Sequence, residues 1–218
     1  MTLEGLLNSV NLDQDILPDD AANRPSEKKL KSLSYITVHE TDNYDPSSGA
    51  DNHRRYLLNG GGANRHTWHF TVDDKEAWQH LRMDERGRHA NSGNSVSLGV
   101  EMCVNKLDTF GDVKDRTARL VAYLLVLTGL ENQHVKQHNH WSGKNCPRKT
   151  RTDELAGSWE DFLESVASYV SGVTERETIR TFEENFDVRV TPGSDGLAED
   201  EEPDLDDTHQ DITQGLGV

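Results

Sequence analysis

The 218-residue chain is short of positive charge. Its 23 lysines and arginines face 39 aspartates and glutamates, for a formal net charge of -16. There is no basic stripe, and neutralised phosphates supply most of the affinity in nucleic-acid binding, so a nucleic-acid partner is not expected. Long hydrophobic runs are missing too. None approaches the roughly 18–20 apolar residues that cross a bilayer, so no membrane insertion is expected. The first residues, MTLEGLLNSVNLDQD, have neither a basic n-region nor a long apolar stretch, and do not read as an export signal. Cysteine is scarce: Cys103 and Cys146 can close at most one disulfide. That excludes a disulfide scaffold and makes a reducing compartment the expectation. No internal repeat is visible.

The acidity that is present is uneven. Residues 171–218 hold 14 acids and 3 bases, a net of -11, whereas residues 1–170 hold 25 acids and 20 bases, a net of -5. A near-balanced body of about 150 residues is large enough for a real core. The organisation read from this is an N-terminal extension at 1–19, a domain at 20–170, a short segment at 171–190 and an acidic tail at 191–218. The tail has the low hydrophobicity and high charge of a disordered segment.

Within the body, Leu3, Leu6 and Leu7 suit one or two turns of amphipathic helix. LSYITVHE reads as a buried strand ending at His39. DNHRRYLLN predicts a helix stopped by Gly60, Gly61 and Gly62. TWHFTVDD and EAWQHLR predict adjacent strands, and VSLGVEMCV a further apolar strand. DVKDRTARLVAYLLVLTGL is the strongest helix, with Leu120, Tyr123, Leu124 and Leu127 on one face and Gly129 as its stop. HVKQHNH reads as a short strand or turn, and WSGKNCPRKT as a loop. ELAGSWEDFLESVASYV predicts a last helix with Leu155, Trp159, Phe162, Leu163 and Val166 inward. Strands mixed with helices predict an α/β single domain, a central mixed β-sheet flanked by helices, followed by the acidic tail.

The chemistry lies in the histidines. His39 ends the first strand, and His134, His138 and His140 lie close in sequence to Cys146. Imidazole nitrogen and thiolate sulfur are the donors Zn²⁺ accepts, and three protein ligands leave a fourth position for water. A single histidine is more often a satisfied polar residue, so composition alone leaves a metal site as one possibility among others.

The run from His138 to Cys146 and Pro147, HNHWSGKNCP, resembles the metal-binding motif of the zinc-dependent N-acetylmuramoyl-L-alanine amidases. This is the type-2 amidase family, which includes phage endolysins and bacterial autolysins and is related to peptidoglycan-recognition proteins. The resemblance continues through YITVHET at 35–41, TWHFTVDDKEAWQH at 67–80, HANSGNSVSLGVEMC at 89–103 and SGKNCPR at 142–148, and covers roughly residues 20–165. Separated words in the family's order are specific, where a lone histidine–cysteine spacing is not.

By position, the resemblance implies His39, His138 and Cys146 as zinc ligands. His140 stands where many relatives have Asp, as either a neighbour of the metal or an alternative ligand, and His138 is preferred. Glu101 and Lys144 match catalytic positions. Zinc brings bound water toward a pKa of about 7. A carboxylate beside it can take the proton and hand it to the leaving amine, and a lysine can stabilise the oxyanion. Trp68 stands where part of the family has a tyrosine and lacks its phenolic proton, so packing or sugar stacking is expected. His69 is expected at the substrate-binding side of the site, either behind the metal ligands or orienting one of them. His89 and Asn94 fall where the family lines its substrate groove. Trp141 is either groove wall or core, and Cys103 a buried apolar side chain. A Cys103–Cys146 disulfide would remove a ligand.

The resemblance thus implies a peptidoglycan hydrolase cutting the amide between N-acetylmuramic acid and L-alanine. A phage endolysin is expected, held in the host cytoplasm until a holin-type lesion opens, and acting as a monomer. A bacterial or prophage autolysin would share the chemistry. A non-catalytic peptidoglycan-binding module is the alternative from another class, and retention of Cys146 with both histidines weighs against it.

Overall fold

The computed structural model describes residues 1–25, 29–152, 157–174, 183 and 188–193. Its centre is a six-stranded sheet in the order β1-β4-β3-β5-β2-β6. The strands are β1 (Leu12–Gln14), β2 (Tyr35–Glu40), β3 (Phe70–Val72), β4 (Ala77–Gln79), β5 (Ser97–Met102) and β6 (Val135–Gln137). Only β3 and β4 pair antiparallel; every other neighbour is parallel. The mixed sheet flanked by helices is the expected architecture.

The two central strands are buried along their whole length, as strands covered on both faces must be. Their alternation sorts side chains by task. Ile36 and Val38 of β2, and Leu98, Val100 and Met102 of β5, enter the main core with Phe70 and Val72. Tyr35, Thr37 and His39, with Ser97, Gly99 and Glu101, lie on the opposite face by the two-residue period.

On the core face lie α1 (Leu3–Val10), α3 (Phe110–Thr128) and α6 (Trp159–Gly172). The Thr2 hydroxyl caps α1 by accepting the Gly5 N–H, and Ser158 with Asp161 forms a capping box on α6. Gly129 closes α3 at φ 71°, where its N–H reaches the Leu125 carbonyl. Leu120, Leu124 and Leu127 are buried and Tyr123 is half-buried, as expected. Val121, Ala122, Leu125 and Val126 are buried as well, because α3 is packed by the sheet, α1 and α6 together. Phe162 and Val166 of α6 are buried, with Trp159 and Leu163 partly so; Leu155 lies outside the described residues.

On the other face, α2 (Ala50–Leu58) covers β3 and β4 through Tyr56 and Leu57, which pack with Leu17, Trp68 and Leu81. Two short helices, α4 (His138–Ser142) and α5 (Arg148–Arg151), replace parts of the expected turn and loop. Four- and five-residue helices are too short to show an apolar period.

The N-terminal extension, residues 1–19, packs on the domain: α1 puts Leu3, Leu6 and Val10 into the main core, and β1 pairs with β4. The 171–190 segment is partly built in. Val190 bridges Leu33 in parallel, and Val188 and Val190 are buried in the main core. Most of the acidic tail, residues 194–218, lies outside the described residues. Among the described residues, no helix is long and apolar enough to cross a membrane.

Candidate metal centre and active site

Strand register assembles the site. His39 of β2 is the Cα partner of Glu101 of β5, and Glu101 is in turn the partner of Thr71 of β3. On the other side, Val38 pairs with Gln137 of β6, so the next residue, His138, starts α4 beside His39. The loop after α4 brings back Cys146. These are the carboxyl ends of parallel strands, where open α/β sheets place their ligands.

His39 Nδ1 lies 3.1 Å from His138 Nδ1 and 4.0 Å from Cys146 Sγ. The three donor atoms lie within 4.8 Å of one another, and all three residues are buried. A tetrahedral ion with metal–nitrogen bonds near 2.05 Å and a metal–sulfur bond near 2.3 Å needs separations of about 3.3 Å and about 3.6 Å. The donor set therefore fits a metal ion in chemistry and closely in spacing. His140 is outside this group; its ring packs against Trp141 at 4.7 Å and Tyr35 at 6.4 Å. Both cysteines are free thiols, and Cys103 is buried with Sγ 3.8 Å from His53 Nδ1.

The electrostatics suit a cation. Burial, reinforced by His138, His89 and Lys144, holds His39 well below the usual histidine range, so its imidazole is neutral and has a lone pair to give. Burial and the Glu101 carboxylate push the Cys146 thiol up, against a hydrogen bond from the Glu40 backbone and the Lys144 charge. A bound cation would reverse that balance and favour the thiolate. Glu101 is buried with Oε1 3.9 Å from His39 Nδ1, and its Oε2 makes no hydrogen bond. Burial drives its pKa up to about 8, with Lys144 opposing and Glu40 reinforcing. Lys144 itself is exposed at the rim.

The remaining expected site residues take different places. Trp68 is 2 % exposed and stacks on Tyr56 with centroids 6.2 Å apart, while its indole N–H donates to Thr71 Oγ1 at 2.7 Å. No face is left for a sugar, so it packs rather than stacks on substrate. His69 is fully buried: its Nε2–H donates to the Glu85 carbonyl at 2.8 Å, and its Nδ1 accepts the Gly99 N–H at 3.0 Å. Its ring meets His89 edge-on at 5.9 Å. His89 is buried. Its Nδ1 lies 3.0 Å from His39 Nε2, the ring nitrogen opposite the one that faces His138 and Cys146. A partner on the second nitrogen fixes the tautomer and orientation of a ligand imidazole. Asn94 is also buried, and its Oδ1 accepts the N–H groups of His89 and Ala90, both at 2.7 Å. Gly99 makes room: a Cβ there would stand 2.8 Å from two atoms of the His89 ring. Trp141 is core, 8 % exposed, with its indole N–H on Thr37 Oγ1 at 2.9 Å.

Two residues escaped the sequence reading. His80 is fully buried with Nε2 2.9 Å from Thr71 Oγ1. Glu40 is buried beside His39 and bonded to residues 149 and 150. His80 closes the TWHFTVDDKEAWQH word, so its position was on view; nothing local signals the partners of Glu40.

With this geometry in place, likeness to known proteins becomes informative. Residues 29–149 match the family model described as N-acetylmuramoyl-L-alanine amidase. The chain is 36% identical over 188 residues to the N-acetylmuramoyl-L-alanine amidase XlyA of Bacillus subtilis (strain 168), covering 83% of this chain and 60% of that protein. It is 34% identical over 164 residues to the amidase CwlH of the same organism, covering 73% and 62%. The chain thus spans about three fifths of the length of these curated relatives. Among solved structures, the catalytic domain of XlyA superposes with a TM-score of 0.63 at 37% identity, covering 72% of this chain and 99% of that one. A mutant endolysin from Bacillus subtilis gives 0.64 at 38% identity, covering 72% and 98%. With the family model spanning more than half of its length, and with the histidine–histidine–cysteine group inside that span, this chain belongs to the N-acetylmuramoyl-L-alanine amidase family.

Proposed function

We propose that the protein is a zinc-dependent peptidoglycan amidase that hydrolyses the bond between N-acetylmuramic acid and the L-alanine of the stem peptide. The observation that carries this reading is the buried His39–His138–Cys146 group with the unbonded Glu101 carboxylate beside it. Its likeness to an endolysin structure and to cell-wall amidases supports a role in wall lysis, with peptidoglycan as partner and release from the host cytoplasm at lysis.

His39, His138 and Cys146 would hold Zn²⁺. When bound, zinc supplies Lewis acidity and a water that ionises near pH 7. Glu101, buried beside His39 with one oxygen unbonded, would accept a proton at the reacting water and return it to the leaving nitrogen, a bound cation favouring its ionised form. Lys144 brings a cation to the rim, where it offsets negative charge developing on the scissile carbonyl oxygen. His89, seated on Gly99 and held by Asn94, fixes the His39 ring through its Nε2, leaving Nδ1 on the side of His138 and Cys146, where these residues would hold the metal.

The test is mass spectrometry of peptidoglycan digested by the protein. New L-alanine amino termini are expected, and their release stops when a chelator strips the metal. New reducing sugar ends, or lysis indifferent to the chelator, would refute the reading.

A further inference from the structure

Glu40 immediately follows the ligand His39 on β2, yet it acts on the other side of the site. Its backbone N–H donates to Cys146 Sγ at 3.4 Å. Its carboxylate takes up three donors from the segment just after the cysteine. Oε2 accepts the Lys149 N–H at 2.8 Å, while Oε1 accepts the Thr150 N–H at 2.9 Å and the Thr150 hydroxyl at 2.8 Å. Glu40 is 6 % exposed and Thr150 is fully buried. One residue therefore grips both the sulfur ligand and the backbone three to four positions beyond it.

The sequence makes this grip necessary. Cys146 lies 107 residues from His39 and sits in a loop between two short helices. No strand pairing fixes its Sγ as β2 and β5 fix His39 and Glu101. Ligand loops of this kind owe their geometry to neighbours that hold the ligand in place, and losing such a neighbour weakens metal binding. We propose that Glu40 is a positioning residue of the metal centre: it straps the Cys146 loop to β2 and holds the sulfur at its ligating distance from His39. The inference rests on the metal-binding reading of His39, His138 and Cys146.

Glu40→Gln is the decisive change. Either orientation of the new amide turns its NH₂ group toward at least one of the three donors, so the strap loses a bond and gains a donor–donor contact. Thr150→Val removes only the hydroxyl donor and keeps the side-chain shape. The 218-residue chain is loaded with Zn²⁺ and its affinity measured by chelator competition. In parallel, Co²⁺ is substituted and the sulfur-to-cobalt charge-transfer band is recorded, which reports Cys146 ligation directly. Melting of the metal-free protein gives the purely structural effect.

The expected result is a loss of roughly 10- to 100-fold in metal affinity for Glu40→Gln, a weakened cobalt–thiolate band, and a smaller loss in the same direction for Thr150→Val. Unchanged affinity and an unchanged band in a folded variant would overturn the proposal, even if metal-free melting fell. Should Glu40→Gln fail to fold, Thr150→Val decides by the same two readouts. A wild-type protein that binds neither ion would overturn the metal reading first, and this inference with it.

Discussion

His80 provides a test of the buried polar layer. It is fully buried, and burial drives its pKa down to about 3, with His53, Arg54 and His69 adding to the shift. In the unfolded chain the same group has the ordinary histidine value of 6.5. The folded pKa is the lower one, so the neutral imidazole is the folded form. Its contribution to stability is intact above pH 6.5 and is lost as the pH falls toward the folded value. Between about pH 8 and about pH 5 the unfolded state takes up nearly one proton that the folded state refuses. That single group removes about 2 kcal/mol of stability, with a slope near 1.4 kcal/mol per pH unit at the acid end. Against a total of about 5–15 kcal/mol this is large. His69, driven to about 4 by burial despite the Glu85 carbonyl, adds a similar loss. The perturbation is His80→Gln, whose amide reaches the Nε2 position and keeps a partner for Thr71. Urea unfolding of both proteins across that pH range isolates His80, because protonation of the metal ligands is common to both and cancels. Wild type should lose about 2 kcal/mol more than the variant on acidification. Parallel curves would refute the reasoning.

Other outcomes follow from the same geometry. Glu101→Gln should lower peptidoglycan hydrolysis about 10²- to 10⁴-fold while zinc, measured by metal analysis, stays bound; a variant with near-wild-type turnover would remove Glu101 from the chemistry. Cys146→Ser should abolish stoichiometric zinc binding, and lysis with it, since a serine hydroxyl is a far poorer ligand than a thiolate; retained zinc would mean another residue completes the set. Gly99→Ala puts a methyl 2.8 Å from the His89 ring. Activity should fall more than Tm, and a loss confined to Tm would separate His89 from the site. Phe162→Ala, at a fully buried position of α6, should cost about 3–5 kcal/mol by urea unfolding and leave turnover per folded molecule unchanged.

What the sequence revealed depended on whether a residue's role was local. The words around His39, Glu101, His138 and Cys146 stand in a fixed order, and the parallel register of β2, β5 and β6 brings the ends of those words together. Trp68, His69, His89 and Asn94 were placed in the right neighbourhood, but the contacts each makes there were not legible. Sequence shows that a histidine precedes a strand, not that its ring lies over a glycine with its nitrogen on another histidine. Glu40 escaped because its partners sit 109 and 110 residues onward. The amphipathic face of α1 was legible, but an apolar period tells that a face is buried, not that α3 is what covers it. The α4 and α5 turns escaped because their order comes from neighbours such as Glu40 rather than from their own propensity.

The alternation of β2 and β5 separates chemistry from stability within the same few residues. Val38 and Val100 face the main core, while their neighbours His39 and Glu101 face the site. The site face carries polar groups where the core face carries apolar ones: a buried carboxylate with an unbonded oxygen, a buried thiol and a histidine held neutral by burial. Such groups are tolerable because the opposite face is packed by α1, α3 and α6 almost without polar interruption. They also set the direction of coupling. A cation that binds the folded site and finds no preformed site in the unfolded chain stabilises the fold by RT ln(1 + [M]/Kd). Part of that gain would be relief of the unbonded Glu101 oxygen, while the Cys146 thiol would have to give up its proton on binding. Metal affinity and fold stability in this domain are therefore two readings of one arrangement, and substitutions on the site face should move both while those on the core face move stability alone.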